Sequence, residues 1–382
     1  MTRTIPFGKP MIGDEEKNAV LQVLDGPMLV HGPRAKAFEA SFAAYTGAPH
    51  AVSVSSCTAG MHLVWFALGY GPGDEIIVPA QTHAATAHAV EFVGATPVFC
   101  DADPKTGNID IDLLEGLITE RTRAICIVHY LGLPVDMDRV NAIAARHSLF
   151  VMEDCALAVG TTLNGTHAGL LGDAGSFSFY PVKHMTTAEG GMVTTRHAEL
   201  AEKVNRMKAF GVDRVVGERK VPGVYDVTML GYNYRMNEIQ AAIGEEQLKK
   251  VPMILERRRE NYETLHSGLQ TIEEVGLFLS TQGGYQSSYY CMSVMLGDGL
   301  AQKRPQLMQR LGEMGVGTSV YYPAPVPHMT YYREKYGYDR SCCPVAASIS
   351  YGSVALPVGP HLTPDDMRYI VDSLKKAISE EK

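Results

Sequence analysis

Between residues 50 and 200 the chain alternates short, unbroken apolar runs with segments of helical composition. The stretches 51–54, 75–79, 97–100, 124–128, 149–152, 175–179 and 192–195 read as strands. The first is followed by a loop and a helical run over 60–68. Strands that are apolar on both sides are buried on both faces, and parallel neighbours need long crossovers, usually helices. The pattern therefore predicts an α/β fold with a mostly parallel sheet covered on both faces.

After about residue 245 the pattern changes. Residues 251–269 read as a long amphipathic helix starting near Pro252, with Ile254, Leu255, Tyr262, Leu265 and Leu269 toward one side. Arg257, Arg258 and Arg259 read as its solvated face. Stretches 289–295 and 317–321 read as strands of a second, smaller unit. A final helix has Thr363 to cap it, Pro364 in its first turn, and Asp365 and Asp366 at its positive end. Met367, Ile370, Val371, Leu374 and Ala377 form its buried stripe. The 382 residues thus divide into a large domain, 1–250, and a small C-terminal α+β domain, 251–382.

Ligands of open α/β sheets bind beyond the carboxyl ends of the strands. Three segments deliver chemistry there. Ser55 to Gly60 joins a strand to a helix, where backbone N–H groups and the Thr58 hydroxyl can hold a phosphate. Asp154 closes a strand, placing a carboxylate where a pyridinium nitrogen needs a partner. Ser178 and Lys183 follow another strand and supply a hydroxyl and then an amine that can form a Schiff base. Taken singly, these are a helix cap, an ion-pair partner and a surface lysine. Taken in order, all three are explained by one cofactor, pyridoxal 5'-phosphate (PLP). His83, on a loop after a strand, is a candidate to stack on that cofactor, whereas His88 reads as structural. The glycines of 69–73 follow a helix, include Pro72 and read as a turn.

A formal net charge of −8 argues against general nucleic-acid binding. The N-terminus lacks the apolar stretch of a signal peptide, and no run approaches the about 18 apolar residues of a membrane span. Seven scattered cysteines without a CxxC pair fit reduced thiols and a cytoplasmic location, with no metal site. Cys342 and Cys343 read as two ordinary thiols.

From about Ile5 to the final helix the chain resembles the sugar aminotransferases of the DegT/DnrJ/EryC1/StrS family, within fold type I of PLP enzymes. The resemblance is carried by Gly32-Pro33 with Phe38-Glu39, by 55–59, 73–79, Glu153-Asp154, 176–191 and 231–242, and by Tyr322-Pro323, His328 and 331–333. It implies an aspartate-aminotransferase-like fold, with Lys183 as the Schiff-base lysine and proton shuttle and Asp154 as partner of the pyridine nitrogen. Thr58, Ala59 and Ser178 would hold the phosphate. Asn233 would reach the phosphate of a neighbouring subunit, so a homodimer with shared active sites is implied. Tyr322 and His328 would border the sugar-nucleotide pocket.

There are departures from the family pattern. Cys57 replaces the loop glycine, His83 replaces the usual aromatic residue, and Leu157 stands where a glutamine is expected three residues after Asp154. The opening Ile5 to Gly13 and the Lys183-x-x-Thr-Thr-x-Glu-Gly-Gly pattern resemble members that aminate C4. The implied reaction moves an amino group from glutamate to C4 of a nucleotide-linked 4-keto-6-deoxyhexose, as in polysaccharide biosynthesis. The alternatives are a 3-keto sugar aminotransferase and a PLP-dependent sugar 3-dehydratase. The latter carries histidine in place of the lysine, and alignment through Tyr180-Pro181 and 189–191 puts Lys183, not His184, at that position. A non-enzymatic regulator would have no need of both Asp154 and Lys183.

Overall fold

The seven apolar runs form one sheet. The structure is a computed structural model that describes residues 3–213, 224–279, 283–297 and 299–381. Strands run β1 (His50–Val54), β2 (Glu75–Pro79), β3 (Thr96–Cys100), β4 (Thr122–Val128), β5 (Phe150–Asp154), β6 (Thr162–Leu163), β7 (Thr166–His167), β8 (Ala174–Ser178) and β9 (Gly191–Thr195). The large sheet has the order β1-β9-β8-β5-β4-β2-β3. Strands β8, β5, β4, β2 and β3 pair in parallel, whereas β9 is antiparallel to both β8 and β1. Successive side chains point to opposite faces. Ile76 and Val78 therefore join one core while Ile77 joins another with Ile125, Ile127 and Val151.

Helices α1 (Asp14–Leu24), α2 (Pro33–Thr46), α3 (Cys57–Ala67), α4 (Ala84–Glu91), α5 (Leu114–Leu117), α6 (Met137–His147) and α7 (Ala198–Met207) accompany this sheet, and α8 (Glu238–Leu269) follows it. The helix expected to start near Pro252 begins earlier. Asn237 caps it, accepting from the Gln240 N–H at 2.9 Å while the Gln240 side chain accepts from the Asn237 N–H at 3.2 Å. This reciprocal cap, not the proline, sets the boundary. Arg258 also departs from expectation. Val251, Ile254, Arg258, Asn261, Leu265 and Leu269 recur at helical spacing and are buried. Arg259 stays on the surface, paired with Glu256 and Glu263.

The C-terminal part contains β10 (Val275–Leu277), β11 (Tyr285–Gln286), β12 (Met292–Leu296), α9 (Arg304–Glu313), α10 (Thr330–Tyr336), α11 (Pro344–Gly352), β13 (Ser353–Leu356) and α12 (Pro364–Glu381). Strands β10, β12 and β13 make an antiparallel sheet. Residues 317–321, expected to be a strand, make only the isolated bridge of Ser319 to Ala355. The expected 289–295 strand begins at Met292, because Tyr289 turns the backbone to φ 52°. Helix α12 starts as expected, with the Thr363 N–H and hydroxyl both donating to Asp366. Its stripe of Met367, Ile370, Val371, Leu374 and Ala377 is buried with Val294, Leu307, Leu356 and, from the far end of the chain, Ile5. No helix among the described residues is long and apolar enough to cross a membrane.

Candidate active site

The parallel pairing of β5 with β8 sets Asp154 opposite Ser176, and β8 with β9 sets Ser178 opposite Gly191. The β8–β9 connection therefore emerges beside Asp154 and carries Lys183. It is pinned from both sides. The Phe179 carbonyl accepts from the Thr187 N–H and the Thr186 hydroxyl, both at 2.9 Å. Gln247, on α8, accepts from the Thr186 N–H at 3.2 Å. Beside Lys183, His184 is buried and its Nε2 meets the Ser288 carbonyl at 2.9 Å.

The Lys183 ammonium has no hydrogen bond or salt bridge among the described residues, and lies 5.3 Å from the centroid of the Tyr290 ring. Burial pushes its pKa below the usual lysine value, and the nearby Asp154 charge opposes that shift. Such an amine spends more of its time unprotonated and nucleophilic.

Asp154 is buried and firmly oriented. One carboxylate oxygen accepts from the Thr86 hydroxyl at 2.7 Å, and the other from the Ala156 N–H at 3.0 Å. Thr82 and Thr86 hydroxyls are 2.7 Å apart. A carboxylate can only accept, so Thr86 donates to it and Thr82 donates to Thr86. The Cys57 thiol lies 3.2 Å from the Ser176 carbonyl and 3.7 Å from Asp154. Burial holds that thiol well above its ordinary pKa, so it stays a protonated donor.

Thr58 and Ala59 open α3 beside these groups. The Ala59 N–H is taken by the Ser56 hydroxyl at 3.0 Å. The N–H groups of Cys57 and Thr58 precede any helical acceptor and remain the natural anion donors. Gly191 is required here. A Cβ on it would lie 2.5 Å from the Ser56 carbonyl carbon and 2.7 Å from the Cys57 nitrogen. Ser178 ends β8, and its hydroxyl oxygen accepts only a long 3.4 Å bond from the Tyr180 N–H.

His83 caps α4, its Nδ1 accepting from the Ala85 N–H at 3.1 Å. Burial lowers its pKa, so the ring is neutral with its proton on Nε2. It meets the buried Tyr322 edge to face at 5.8 Å. Asn233 is exposed and bridges to Ala209 through its backbone. The neighbouring Tyr234 carbonyl accepts from the Ser55 N–H at 2.8 Å, tying this segment to the start of α3. His328 is different: its ring nitrogens meet the Cys342 carbonyl at 2.8 Å and the Tyr351 hydroxyl at 3.2 Å. His88 meets the Tyr332 hydroxyl at 2.7 Å. Leu157 is buried against Tyr290 and Cys291.

Two residues at this site escaped the sequence reading. Thr86 lies four residues beyond Thr82, a helical spacing that could have paired them. Tyr290 carries no local signal. The buried trio His129, Glu153 and Cys155 offers atoms within 4.8 Å of one another. However, Glu153 already accepts from Gly169, Gly172 and His129, while His129 accepts from the Val135 N–H. Those two residues are thus satisfied by the fold itself.

Comparison with known proteins agrees with this geometry. The chain is 36% identical over 378 residues to the spore coat polysaccharide biosynthesis protein SpsC of Bacillus subtilis, covering 98% of this chain and 97% of that protein. The putative sugar aminotransferase Spr1654 from Streptococcus pneumoniae, in its PMP form, superposes with a TM-score of 0.94 at 29% identity over 99% of this chain and all of that one. The same protein has also been solved in its PLP form. Helicobacter pylori PseC, an aminotransferase involved in the biosynthesis of pseudoaminic acid, gives a TM-score of 0.92 at 28% identity over 99% of this chain and 100% of that one. The fold is thus that of the fold type I PLP enzymes. PLP is the cofactor. The Lys183 amine, unpaired among the described residues and beside a buried, oriented Asp154, suits it. The model of the DegT/DnrJ/EryC1/StrS aminotransferase family matches residues 10–375, and the chain belongs to that family as a PLP-dependent sugar aminotransferase.

Proposed function

We propose that this enzyme moves an amino group from glutamate to C4 of a nucleotide-linked 4-keto-6-deoxyhexose. The observation that carries its chemistry is the Lys183 amine, without a hydrogen-bond partner among the described residues, lowered in pKa by burial and close enough to Asp154 to feel its charge. The choice of C4 is supported by the opening Ile5 to Gly13 and by the Lys183 to Gly191 pattern, which resemble C4-aminating relatives.

When bound, PLP supplies an aldehyde that takes up the amine and a ring that accepts electrons from the substrate carbon. Asp154, held by Thr86 and Ala156, keeps a proton on the ring nitrogen. Lys183 Nζ takes a proton from the donor's α-carbon and later returns one at the sugar carbon. The N–H groups at the start of α3, the Thr58 hydroxyl and Ser178 hold the phosphate. His83, fixed by Ala85, offers its neutral ring to the cofactor face. Tyr322 borders the sugar-nucleotide pocket. In this reading His328 acts through the loop it fastens to Cys342 rather than by free ring nitrogens.

Asn233 acts across a homodimer. Its side chain is exposed, and the segment is tied to α3. Mixing inactive Lys183→Ala and Asn233→Ala proteins tests this: hybrid dimers would regain one intact site, whereas additive inactivity would place Asn233 in its own subunit's site. The seven free cysteines support a cytoplasmic location. The division at residue 250 remains part of this reading, with α8 running unbroken across it.

The decisive experiment incubates the PLP-loaded protein with glutamate, then with paired 4-keto and 3-keto nucleotide sugars. Spectral conversion of the cofactor by glutamate and amination of the 4-keto compound are expected. Turnover confined to 3-keto sugars would refute the C4 assignment. Loss of the C3 oxygen without amination would point to a dehydratase.

A further inference from the structure

We propose that Tyr290 is a positioning residue for Lys183: its ring face holds the ammonium in place, so that Nζ, once it has given up its proton, would already be set for the cofactor aldehyde. This rests on Lys183 being the cofactor lysine. Nζ lies 5.3 Å from the ring centroid and makes no hydrogen bond or salt bridge among the described residues. The ring is therefore what fixes the end of a long, flexible side chain. The negative face of an aromatic ring attracts a cation within about 6 Å, and more strongly where water is excluded.

The ring is itself held. Tyr290 is buried, and its hydroxyl meets that of Tyr321 at 2.8 Å. Tyr289, just before it, has φ 52°, a conformation disfavoured for a bulky residue. Arg258 secures that turn. Buried on α8, it donates through Nη1 to the Tyr289 carbonyl at 3.3 Å and the Tyr290 carbonyl at 2.6 Å. Its guanidinium carbon lies 5.7 Å from the same ring. Strained backbone that its surroundings over-determine is characteristic of functional sites. Here a buried cation spends its charge on two carbonyls, and the residue so placed faces Lys183.

The groups that act on the lysine are Asp154 from β5, Cys57 from α3 and Cys291 beside Tyr290, and the rings of His83 and His184 also lie within reach of its charge. Those around the ring are Arg258, Tyr321, Cys291, Tyr180 and His184, the last at 5.6 Å. A ring that stabilises the ammonium raises the lysine pKa, so its removal lowers it. A ring that only excluded water would have the opposite effect, because its removal would hydrate the charge. The sign separates the two roles.

The test uses the full chain without cofactor, labelled at Lys183 with trinitrobenzenesulfonate across pH and read by peptide mass spectrometry. Tyr290→Leu is expected to lower the labelling midpoint by about one pH unit, and Tyr290→Phe to leave it nearly unchanged. If the leucine protein does not fold, fluorinated phenylalanines at 290 keep the shape while weakening the ring's negative face, and should lower the midpoint stepwise. An unchanged or raised midpoint in these proteins overturns the proposal. Borohydride reduction of the PLP-loaded wild type tests the underlying reading separately: trapping on Lys183 upholds it, and trapping on another lysine overturns it whatever the Tyr290 variants show.

Discussion

Thr86→Val tests how Asp154 is held. Valine matches threonine in shape, so the change removes a hydroxyl without opening a cavity. The lost bond is the 2.7 Å donation to a buried carboxylate oxygen. Hydrogen bonds to charged groups contribute about 1.5–3 kcal/mol, so a loss of about 2 kcal/mol in the cofactor-free protein is expected. Thr82→Val removes only the neutral bond behind it, at 2.7 Å, and should cost about 1 kcal/mol. With Asp154 left to the Ala156 N–H and the distant Cys57 thiol, PLP affinity should also fall, by about tenfold for each 1.4 kcal/mol of lost orientation. Thermal denaturation of the cofactor-free protein and spectrophotometric titration with PLP measure the two effects. A double-mutant cycle with Asp154→Asn assigns the energy to this pair, with a coupling of about 1 kcal/mol or more expected. If Thr86→Val costs as much in the Asp154→Asn background as in the wild type, the hydroxyl does not act through the carboxylate and the reasoning fails.

Asn237→Ala removes the cap of α8 and should destabilise the protein by about 1 kcal/mol in thermal or chemical denaturation. Gly191→Ala forces a methyl group onto the Ser56 and Cys57 backbone, and should cost about 1–3 kcal/mol and weaken PLP binding, read by denaturation and titration. Lys183→Met should alter the pH dependence of stability in the cofactor-free protein. Because the folded pKa of Lys183 is below its unfolded value, the unfolded chain binds more protons between the two. The wild type should therefore gain stability relative to Lys183→Met as pH rises through that window up to about 10.4, and parallel curves would refute the shift.

The strands of the large sheet were legible because each is a short apolar run bounded by turns, and a buried parallel strand needs little else to declare itself. The nearness of the candidates Lys183 and Asp154 was legible because topology puts strand ends on one edge, so order along the chain becomes position in space. The start of α8 was misplaced because Pro252 imitates a first-turn proline, while the true cap at Asn237 is a local signal that competes with it. Other features depend on contacts between distant segments. Arg258 reads as one of three solvated arginines until helical spacing and the Tyr289 and Tyr290 carbonyls draw it inside. Thr86 becomes a partner of Asp154 only when α4 packs over the end of β5. Tyr290 faces Lys183 only because a turn near the C-terminal sheet returns to the β8–β9 connection. The sequence alone determined the strand series and singled out Lys183 and Asp154 as the candidate reacting groups, since both readings follow from local composition and order. Tertiary structure alone decided how those groups are aimed, because hydrogen bonds and ring contacts join residues that the chain does not bring together until it folds.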